Sequence, residues 1–386
     1  MSELLGGKKI LILVPGENAR GGITNYYYSI KKEFRFSVDY FLRGSRTYPF
    51  RESWINDLLQ PLKDAKRFFF QVRKKDYSLL QTTTAFDLVS LVRDTMFIFI
   101  ARWYKMKVII FYRGWDQKFA DKLEKKYLWF FRKVFFKADA FIELSSDFKK
   151  RLLSWGYKKP IYLETTLVNK DLLQGVTLPD VLKKYDNMQT IELLFLSRVE
   201  PFKGIYEAIE TFRMLQKKYP SIRFTFVGDG RELEKVQQFV KDNNIENIIF
   251  TGHVKGDAKI EYYKRSHYFF FPSYSEGMPN AVLEAMAFGL PVITRRVGGL
   301  VDFFQNDVHG YFTDSKDPNE FYSYFDKLFS DIQLTKKISE NNFHYANEKF
   351  VSDKVARRME NIFIEVYESN TKAGYISKLP ENVFSN

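Results

Sequence analysis

With its 386 residues, 45% of them hydrophobic and 28% charged, the chain has a globular composition and is too long for one ordinary core. It contains no cysteine and only four histidines, none paired at ligand spacing. Disulfides, thiolate metal sites and covalent cysteine catalysis are therefore excluded, and we expect no metal site. The formal net charge of +13 indicates an anionic partner, and without a helix-turn-helix, zinc-finger or RNA-recognition signature we expect no nucleic acid among the partners.

The N-terminal residues lack the basic, apolar and small-residue layout of a signal peptide, and no run of 18 apolar residues occurs. We therefore expect a cytoplasmic protein without a membrane-spanning segment.

The first half of the chain alternates apolar runs with helical segments. A continuous apolar run over 9–14 predicts a buried strand, and a loop with Gly21 and Gly22 leads from it into a helix over 24–33. Further strands are predicted over 36–42, 77–81, 107–112, 140–144 and 161–163, and further helices over 57–75, 86–104, 116–137 and 147–155. Strands that alternate with helices predict a parallel sheet with right-handed crossovers.

Two helical segments of this half, 63–75 and 125–137, mix basic and aromatic residues. A helix with aromatic side chains inward and Lys or Arg outward is what a packed helix on a parallel sheet requires. The same pattern also suits peripheral binding to an anionic bilayer. Both interpretations stay open.

Arg113 lies just after the strand over 107–112, at the carboxyl end, where ligands bind in such sheets. An arginine there can bind an acidic sugar, a phosphate or sugar hydroxyls. The alternative is a structural arginine paired with Asp116.

After a polar stretch without a clear strand, over 171–189, the second half opens with an apolar strand that leads into Arg198, Lys203 and Gly204. A second strand ends in a glycine turn at Gly228, and the run over 248–254 carries His253 and Val254.

A third strand-to-helix unit covers 268–293. The apolar run over 268–271 reads as a strand, Gly277 and Pro279 shape the turn, and a helix over 280–288 ends at Gly289. Glu276 lies just ahead of the helix and Glu284 one turn into it. Free backbone N–H groups at such a helix start form an anion site, for which a nucleotide diphosphate is a natural occupant. Two acids flanking that site suggest that sugar or ribose hydroxyls lie on either side.

The run of spaced Pro, Ser, Glu, Gly and Ala over 272–289, with its Glu-x7-Glu pattern, resembles the donor-binding signature of retaining glycosyltransferases of family 4. Arg198, Lys203 and Gly204 match that family's Arg-x4-Lys-Gly element. The resemblance implies an α/β fold of two facing Rossmann-like domains with a cleft between them, called GT-B, and a C-terminal helix that crosses back to the first domain. The domains implied are 1–170 for the acceptor, a linker over 171–190, 191–350 for the nucleotide-sugar donor, and 351–386 for the crossing helix and tail.

The resemblance also implies the roles of individual residues. Arg198 and Lys203 would stabilise the diphosphate, because negative charge develops there as the sugar departs. Glu276 would bind the donor sugar and support the developing oxocarbenium ion, and Glu284 would hold the ribose. The residues expected to be catalytic are Glu276, Arg198, Lys203 and Arg113. Arg113 stands where many members of the family carry a histidine. The residues expected to bind the donor are Gly21, Gly22, Gly228, His253, Val254, Gly277, Met278, Pro279, Asn280 and Glu284.

The function implied is transfer of a sugar, with retention, from a nucleotide sugar carrying UDP or GDP to a saccharide or lipid-linked acceptor in envelope polysaccharide biosynthesis. The family needs no metal, and no Asp-x-Asp occurs in this chain, so we expect no cofactor. Peripheral contact with an anionic inner membrane face would fit. Two alternatives stay open: a sugar-nucleotide epimerase of the same shape, which the scarcity of histidine disfavours, and a non-catalytic donor-binding or scaffold subunit.

Overall fold

The structure is a computed structural model that describes residues 9–369 apart from 18, 20, 45–53, 187 and 255. The chain forms two compact units. The first runs up to Thr165 and includes the residues from Ser352 onward, and the second is Thr166–Val351.

The first unit contains a six-stranded parallel sheet in the order β2-β1-β3-β4-β5-β6. Its strands are β1 (Lys9–Pro15), β2 (Val38–Arg43), β3 (Tyr77–Phe86), β4 (Lys107–Trp115), β5 (Ala140–Glu143) and β6 (Ile161–Leu163). Its helices up to the second unit are α1 (Gly22–Ile30), α2 (Trp54–Lys74), α3 (Leu88–Trp103), α4 (Gln117–Lys126), α5 (Leu128–Phe135) and α6 (Ser146–Ser154). The strands are apolar on both faces because helices cover both sides of the sheet.

The second unit contains another six-stranded parallel sheet, in the order β12-β11-β10-β7-β8-β9. Its strands are β7 (Ile191–Leu196), β8 (Ile222–Val227), β9 (Ile248–Phe250), β10 (Tyr268–Phe271), β11 (Val292–Arg295) and β12 (Gly310–Thr313). Its helices are α7 (Leu178–Lys183), α8 (Ile205–Lys218), α9 (Leu233–Asp242), α10 (Asp257–Arg265), α11 (Asn280–Ala287), α12 (Pro318–Ser330) and α13 (Ile332–Lys349). This strand order is the one of the dinucleotide-binding doubly wound fold.

The last helix, α14 (Ser352–Glu368), belongs to the first unit. Arg358 on α14 makes a two-pronged ion pair with the buried Glu164, at 2.6 and 3.0 Å. Glu360, also buried, pairs with Arg35 at 2.7 Å. These charge-assisted contacts fix the helix on its unit.

Several predicted elements of the first unit need correction. The strand predicted over 77–81 runs on to Phe86, so the helix predicted from residue 86 begins only at Leu88, with Asp87 capping it through a bond from Ser90 N–H at 2.9 Å. The single helix predicted over 116–137 is two helices that meet at Tyr127. In the second unit, the predicted linker 171–190 carries a 3₁₀ turn and α7, which Thr177 caps.

None of the helices in the described part of the chain combines the length and apolar character needed to cross a membrane.

Candidate functional site

The candidate site lies at the carboxyl edge of the second sheet, at its topological switch point. The strand order reverses between β7 and β10, and ligands of such sheets bind outside the carboxyl ends of the strands at that point. The segment 197–204 follows β7 and the segment 272–279 follows β10. The two segments are joined by a hydrogen bond from Tyr274 N–H to Phe202 O, 2.8 Å long.

Glycines allow these loops to approach each other closely. Gly204 has φ +73°, and a Cβ there would lie 2.1 Å from Pro272 O. Gly228 has φ +153°, and a Cβ there would lie 1.8 Å from Ser197 O. Because both contacts are with backbone, no larger residue fits, so the two predicted glycines hold the β7, β8 and β10 loops together.

At the centre of this edge, the Lys203 Nζ lies 2.5 Å from Glu276 Oε1. The hydroxyl of Ser273 donates to the same carboxylate oxygen, at 2.8 Å. Both charged side chains are largely buried, with exposed fractions of 10% and 14%. The rings of Phe202 and Phe271 lie 5.0 and 5.4 Å from the ammonium and add cation–π attraction. The structure thus brings together the cation and the carboxylate that the sequence analysis singled out.

Arg198, on the loop after β7, is exposed, and its side chain forms no ion pair or hydrogen bond with any residue that the structure describes. Its neighbour Glu200 is instead paired with Arg231 at 2.9 Å. Hydrogen bonds from Arg231 lower the pKa of the Glu200 carboxyl, and the charge of Arg198 adds to that effect. The sequence analysis missed the Glu200–Arg231 pair, although Arg231 directly follows the glycine turn of β8. Arg198 is therefore a cation available to an anion.

The start of α11 offers backbone donors beside this pair. Pro279 is the N-cap, no side chain caps the helix, and its first turn holds no acid. Uncapped N–H groups at a helix start attract anions. Pro279 and Met278 are buried and Gly277 and Asn280 half-buried, so contact with a ligand here would involve backbone and not the Met278 side chain.

Glu284 is buried on α11 and has partners of its own. Its Oε2 lies 2.5 Å from Lys259 Nζ and accepts from the Tyr263 hydroxyl at 2.7 Å. Burial, aided by Glu284, raises the pKa of Tyr263 well above its usual range. Glu284 and Glu276 thus share no partner among the described residues. Lys259 and Tyr263 were not predicted, although their spacing on α10 places both on one helix face.

The loop after β9 lies beside the turn at Gly228, whose N–H donates to Gly252 O at 2.9 Å. His253 is exposed and Val254 half-buried. Both predicted residues therefore stand at the same sheet edge, one loop away from Arg198.

Arg113 belongs to the first unit and lies within β4, not just after the strand as predicted. The strand register passes from Tyr112 opposite Thr84 to Gly114 opposite Ala85, so Arg113 is the extra residue of a bulge. Bulges redirect side chains, and here the guanidinium stacks 3.9 Å from the centre of the Tyr26 ring.

The guanidinium of Arg113 is poorly satisfied. Its Nε and Nη1 are buried without a hydrogen-bond partner in the described structure, and so is the Tyr26 hydroxyl. Burial lowers the pKa of Arg113. The alternative that Arg113 pairs with Asp116 is wrong, because Asp116 caps α4 by accepting from Phe119 N–H at 3.0 Å.

Gly21 and Gly22 also lie in the first unit, at the start of α1, and both are exposed. Gly21 has φ +145°, a conformation that favours glycine, but a Cβ there would meet no atom within 4 Å. Glycine is favoured at position 21 by the backbone conformation and not by lack of space, and the loop backbone there is open to solvent.

Comparison with known proteins agrees with this geometry. Residues 182–345 match the family model described as Glycosyl transferases group 1. CapM of Staphylococcus aureus, a capsular polysaccharide biosynthesis glycosyltransferase, is 24% identical over 226 residues, 57% of this chain and 56% of CapM. The matches span 48%, 56% and 63% of the length of the first three curated relatives, about half.

Solved structures extend the likeness to the whole fold. Sucrose-phosphate synthase from Thermosynechococcus elongatus has a TM-score of 0.76 over 94% of this chain and 100% of that one, at 18% identity. HepE of Anabaena, in complex with UDP and glucose, has a TM-score of 0.69 over 92% of this chain and 99% of that one, at 16% identity. At such identities the likeness concerns the fold, and it confirms the predicted α/β class with two Rossmann-like units. The match over 182–345 includes the loops that hold Lys203 and Glu276, so the second unit is similar to the glycosyl transferases group 1 family.

Proposed function

We propose that the protein is a retaining glycosyltransferase that moves a sugar from a nucleotide-sugar donor to a saccharide or lipid-linked acceptor. The observation that carries the proposal is the Lys203–Glu276 pair at the switch point, beside an uncapped helix start. Cations, backbone donors and a carboxylate converge there, which is the set of groups that a sugar diphosphate requires.

Each group has a role in the proposed reaction. As the bond between sugar and diphosphate breaks, negative charge builds on the departing phosphate. Arg198 would take that charge with two parallel hydrogen bonds, Lys203 as a point charge, and the start of α11 through its N–H groups. Glu276 would lie against the positive charge that develops on the sugar. Because these groups supply the positive charge, we propose that the reaction needs no metal or other cofactor.

The identity of the donor and acceptor is supported by similar proteins. The HepE structure contains UDP and glucose, which supports UDP as the nucleotide, with GDP as the second choice. The name of CapM supports a role in envelope polysaccharide biosynthesis. In the first unit, the unsatisfied guanidinium of Arg113 would contact a phosphate, a carboxylate or hydroxyls of the acceptor.

The test is an assay of sugar transfer with radiolabelled UDP- and GDP-sugars, in the presence of EDTA, with a lipid-linked saccharide extract as acceptor. We expect one donor class to give product with the anomeric configuration of the donor, and Lys203→Ala to abolish it. Product of inverted configuration would refute retention, and dependence on added metal would refute the metal-free mechanism.

The same assay separates the two alternatives. An epimerase would convert the free sugar nucleotide into its epimer without acceptor. A donor-binding subunit would bind a nucleotide in calorimetry but turn over none of the donors. Either result would replace the proposal.

A further inference from the structure

The first unit exposes an apolar stripe along the full length of α3. Leu88, Val92, Phe99 and Trp103 are all exposed, Trp103 by 83%. Their spacing of 4, 7 and 4 residues places them along one line of the helix, about 22 Å long at 1.5 Å per residue. Val89, 74% exposed, lies beside this line.

The opposite face of α3 is apolar as well, so the stripe is not the inner face of an amphipathic helix. Leu91, Phe97 and Ile98 are buried in the core of the unit. The helix carries three charged residues, and each is used within the unit: Arg93 pairs with Asp94 at 2.8 Å, and Arg102 pairs with Asp139 at 3.0 Å. The outward stripe therefore has no charge of its own.

The two helices beside α3 continue the exposed apolar surface. Phe68 of α2 packs on Phe97 of α3 at 5.1 Å, and α5 contributes to the same core. Outward, α2 exposes Leu59, Leu62 and Phe70, and α5 exposes Trp129 and Phe130. We call the exposed apolar residues of α2, α3 and α5 the apolar patch. Among the residues that the structure describes, the second unit exposes only Phe202 and Ile249 as large hydrophobics, so the patch is peculiar to the first unit.

The surroundings of the patch are strongly cationic. Between residues 59 and 137 the chain has 18 Lys and Arg against seven Asp and Glu, so most of its net charge of +13 lies here. Six exposed lysines of α2, α4 and α5 form no ion pair within the described part of the chain, namely Lys63, Lys66, Lys74, Lys125, Lys126 and Lys133. Unpaired cations around an apolar surface are complementary to anionic lipid head groups over acyl chains.

We propose that the apolar patch docks onto the surface of an anionic bilayer, with α3 lying in the plane of the interface. Trp103 at one end of α3 and Trp129 at the start of α5 would lie at the level of the lipid head groups, which is where indole rings are enriched. A protein partner would need acidic groups placed opposite each lysine, whereas a lipid surface supplies mobile negative charge to all of them. The patch differs from the basic-aromatic segments of the sequence analysis because its centre is α3.

This proposal goes beyond the transferase function and does not depend on it, because its test measures binding and not transfer. The purified protein is floated with vesicles of equimolar phosphatidylglycerol and phosphatidylcholine, and with vesicles of phosphatidylcholine alone, at low and at high salt. We expect binding to the anionic vesicles at low salt and little to the neutral ones.

Matched variants test the apolar and the cationic contributions to vesicle binding separately. Phe99→Ser with Trp103→Ser should weaken partition by about tenfold or more, since two large apolar groups no longer leave water, while Ile249→Ser in the second unit should not. Lys125→Ser with Lys126→Ser should also weaken vesicle binding, and Lys217→Ser with Lys241→Ser, which are also exposed but lie in the second unit, should not. Thermal unfolding checks that each variant is folded, which we expect because all these side chains are exposed.

Tryptophan fluorescence gives an independent signature. The experiment uses a Trp54→Phe background, which removes the fifth tryptophan of the chain. Trp115 and Trp155 are buried, so the exposed Trp103 and Trp129 should give a blue shift with anionic vesicles that is lost in Trp103→Phe with Trp129→Phe. Failure of the wild-type protein to bind anionic vesicles at low salt, or unchanged binding of the Phe99 and Trp103 variant, would overturn the proposal. Self-association abolished by that variant, without vesicle binding, would overturn it in favour of a second copy as the occupant.

Discussion

The Lys203–Glu276 pair leads to a prediction in which binding and catalysis change in opposite directions. In the structure the ammonium that should bind the diphosphate is already neutralised by Glu276, at 2.5 Å. A diphosphate that takes over Lys203 must therefore compete with a carboxylate. Replacing Glu276 by Gln removes the competing charge and keeps the shape and the bond from Ser273.

The size of the effect follows from the burial of the pair. A hydrogen bond to a charged group contributes about 1.5–3 kcal/mol, and here the rings of Phe202 and Phe271 keep water from the ammonium. Glu276→Gln should therefore tighten binding of the free nucleotide diphosphate by about 10- to 100-fold. The same variant should lose transfer by about 100-fold or more, because the charge opposite the developing oxocarbenium ion is gone. Lys203→Met should lose both.

Isothermal titration calorimetry with UDP and GDP, run beside the transfer assay, measures these changes. Asp326→Asn is the matched control: Asp326 is paired with Lys218, also at 2.5 Å, but on α12 and α8. That variant should change neither quantity. The reasoning fails if Glu276→Gln keeps its melting temperature but binds both nucleotides no more tightly than the wild-type protein. The Lys203–Glu276 pair would then only stabilise the loops and would not compete with the diphosphate.

Three further predictions concern stability and the first unit. His267 and His309 are buried, and burial lowers their pKa values to about 4, against 6.5 in the unfolded chain. As the pH falls from about 7 to 5, only the unfolded state gains the proton, so each histidine should lower the free energy of unfolding by about 2 kcal/mol. Denaturant melts at a series of pH values should show a smaller loss of unfolding free energy in His267→Gln, but not in the exposed His344→Gln. An equal loss in both variants would contradict the prediction. Arg113→Met should raise the free energy of unfolding by about 1 kcal/mol, because two unsatisfied buried donors disappear, yet should raise KM for the acceptor about tenfold with donor affinity unchanged. Loss of donor affinity instead would place Arg113 on the donor. Gly204→Ala should cost about 2–4 kcal/mol in urea melts because its Cβ would meet Pro272 O at 2.1 Å; a cost below about 1 kcal/mol would show that the loop relaxes.

The sequence predicted the strands and the loops of the second unit well, for a physical reason. Strands buried on both faces are continuous apolar runs, and the turns that follow them need glycine where backbone meets backbone, as at Gly204 and Gly228. Lys203 and Glu276 stand at fixed distances from such strands, so the topology brings them together without further information. The contact between them could be expected from the sequence, whereas its burial could not.

Other features depend on contacts that no local pattern records. The break at Tyr127 occurs inside a stretch with good helix formers on both sides, and Phe86 is kept in a strand by stacking on Trp115 at 4.2 Å. Lys259 and Tyr263 reach Glu284 only because α10 packs beside α11. For α3, both helix faces are apolar, and periodicity alone cannot tell which of them faces outward.

The two units differ in how completely their polar groups are satisfied, and this difference bears on their roles. Native structures leave few buried polar atoms without a partner, yet the first unit buries several, among them both carboxyl oxygens of Glu143 and the hydroxyls of Tyr26 and Tyr112. Burial raises the pKa of Glu143 well above its usual range, because desolvation penalises the charged form. The same unit also carries the guanidinium of Arg113 and the exposed stripe of α3. In the second unit, by contrast, Lys203 and Glu276 neutralise each other before any ligand arrives. The first unit has unpaired donors in its interior and an uncovered apolar face on its surface. Binding of a polar ligand to those donors, or of an apolar surface to that face, would lower its free energy. We therefore propose that the first unit selects the acceptor and contacts the surface that carries it, and that the second unit performs the chemistry of the donor.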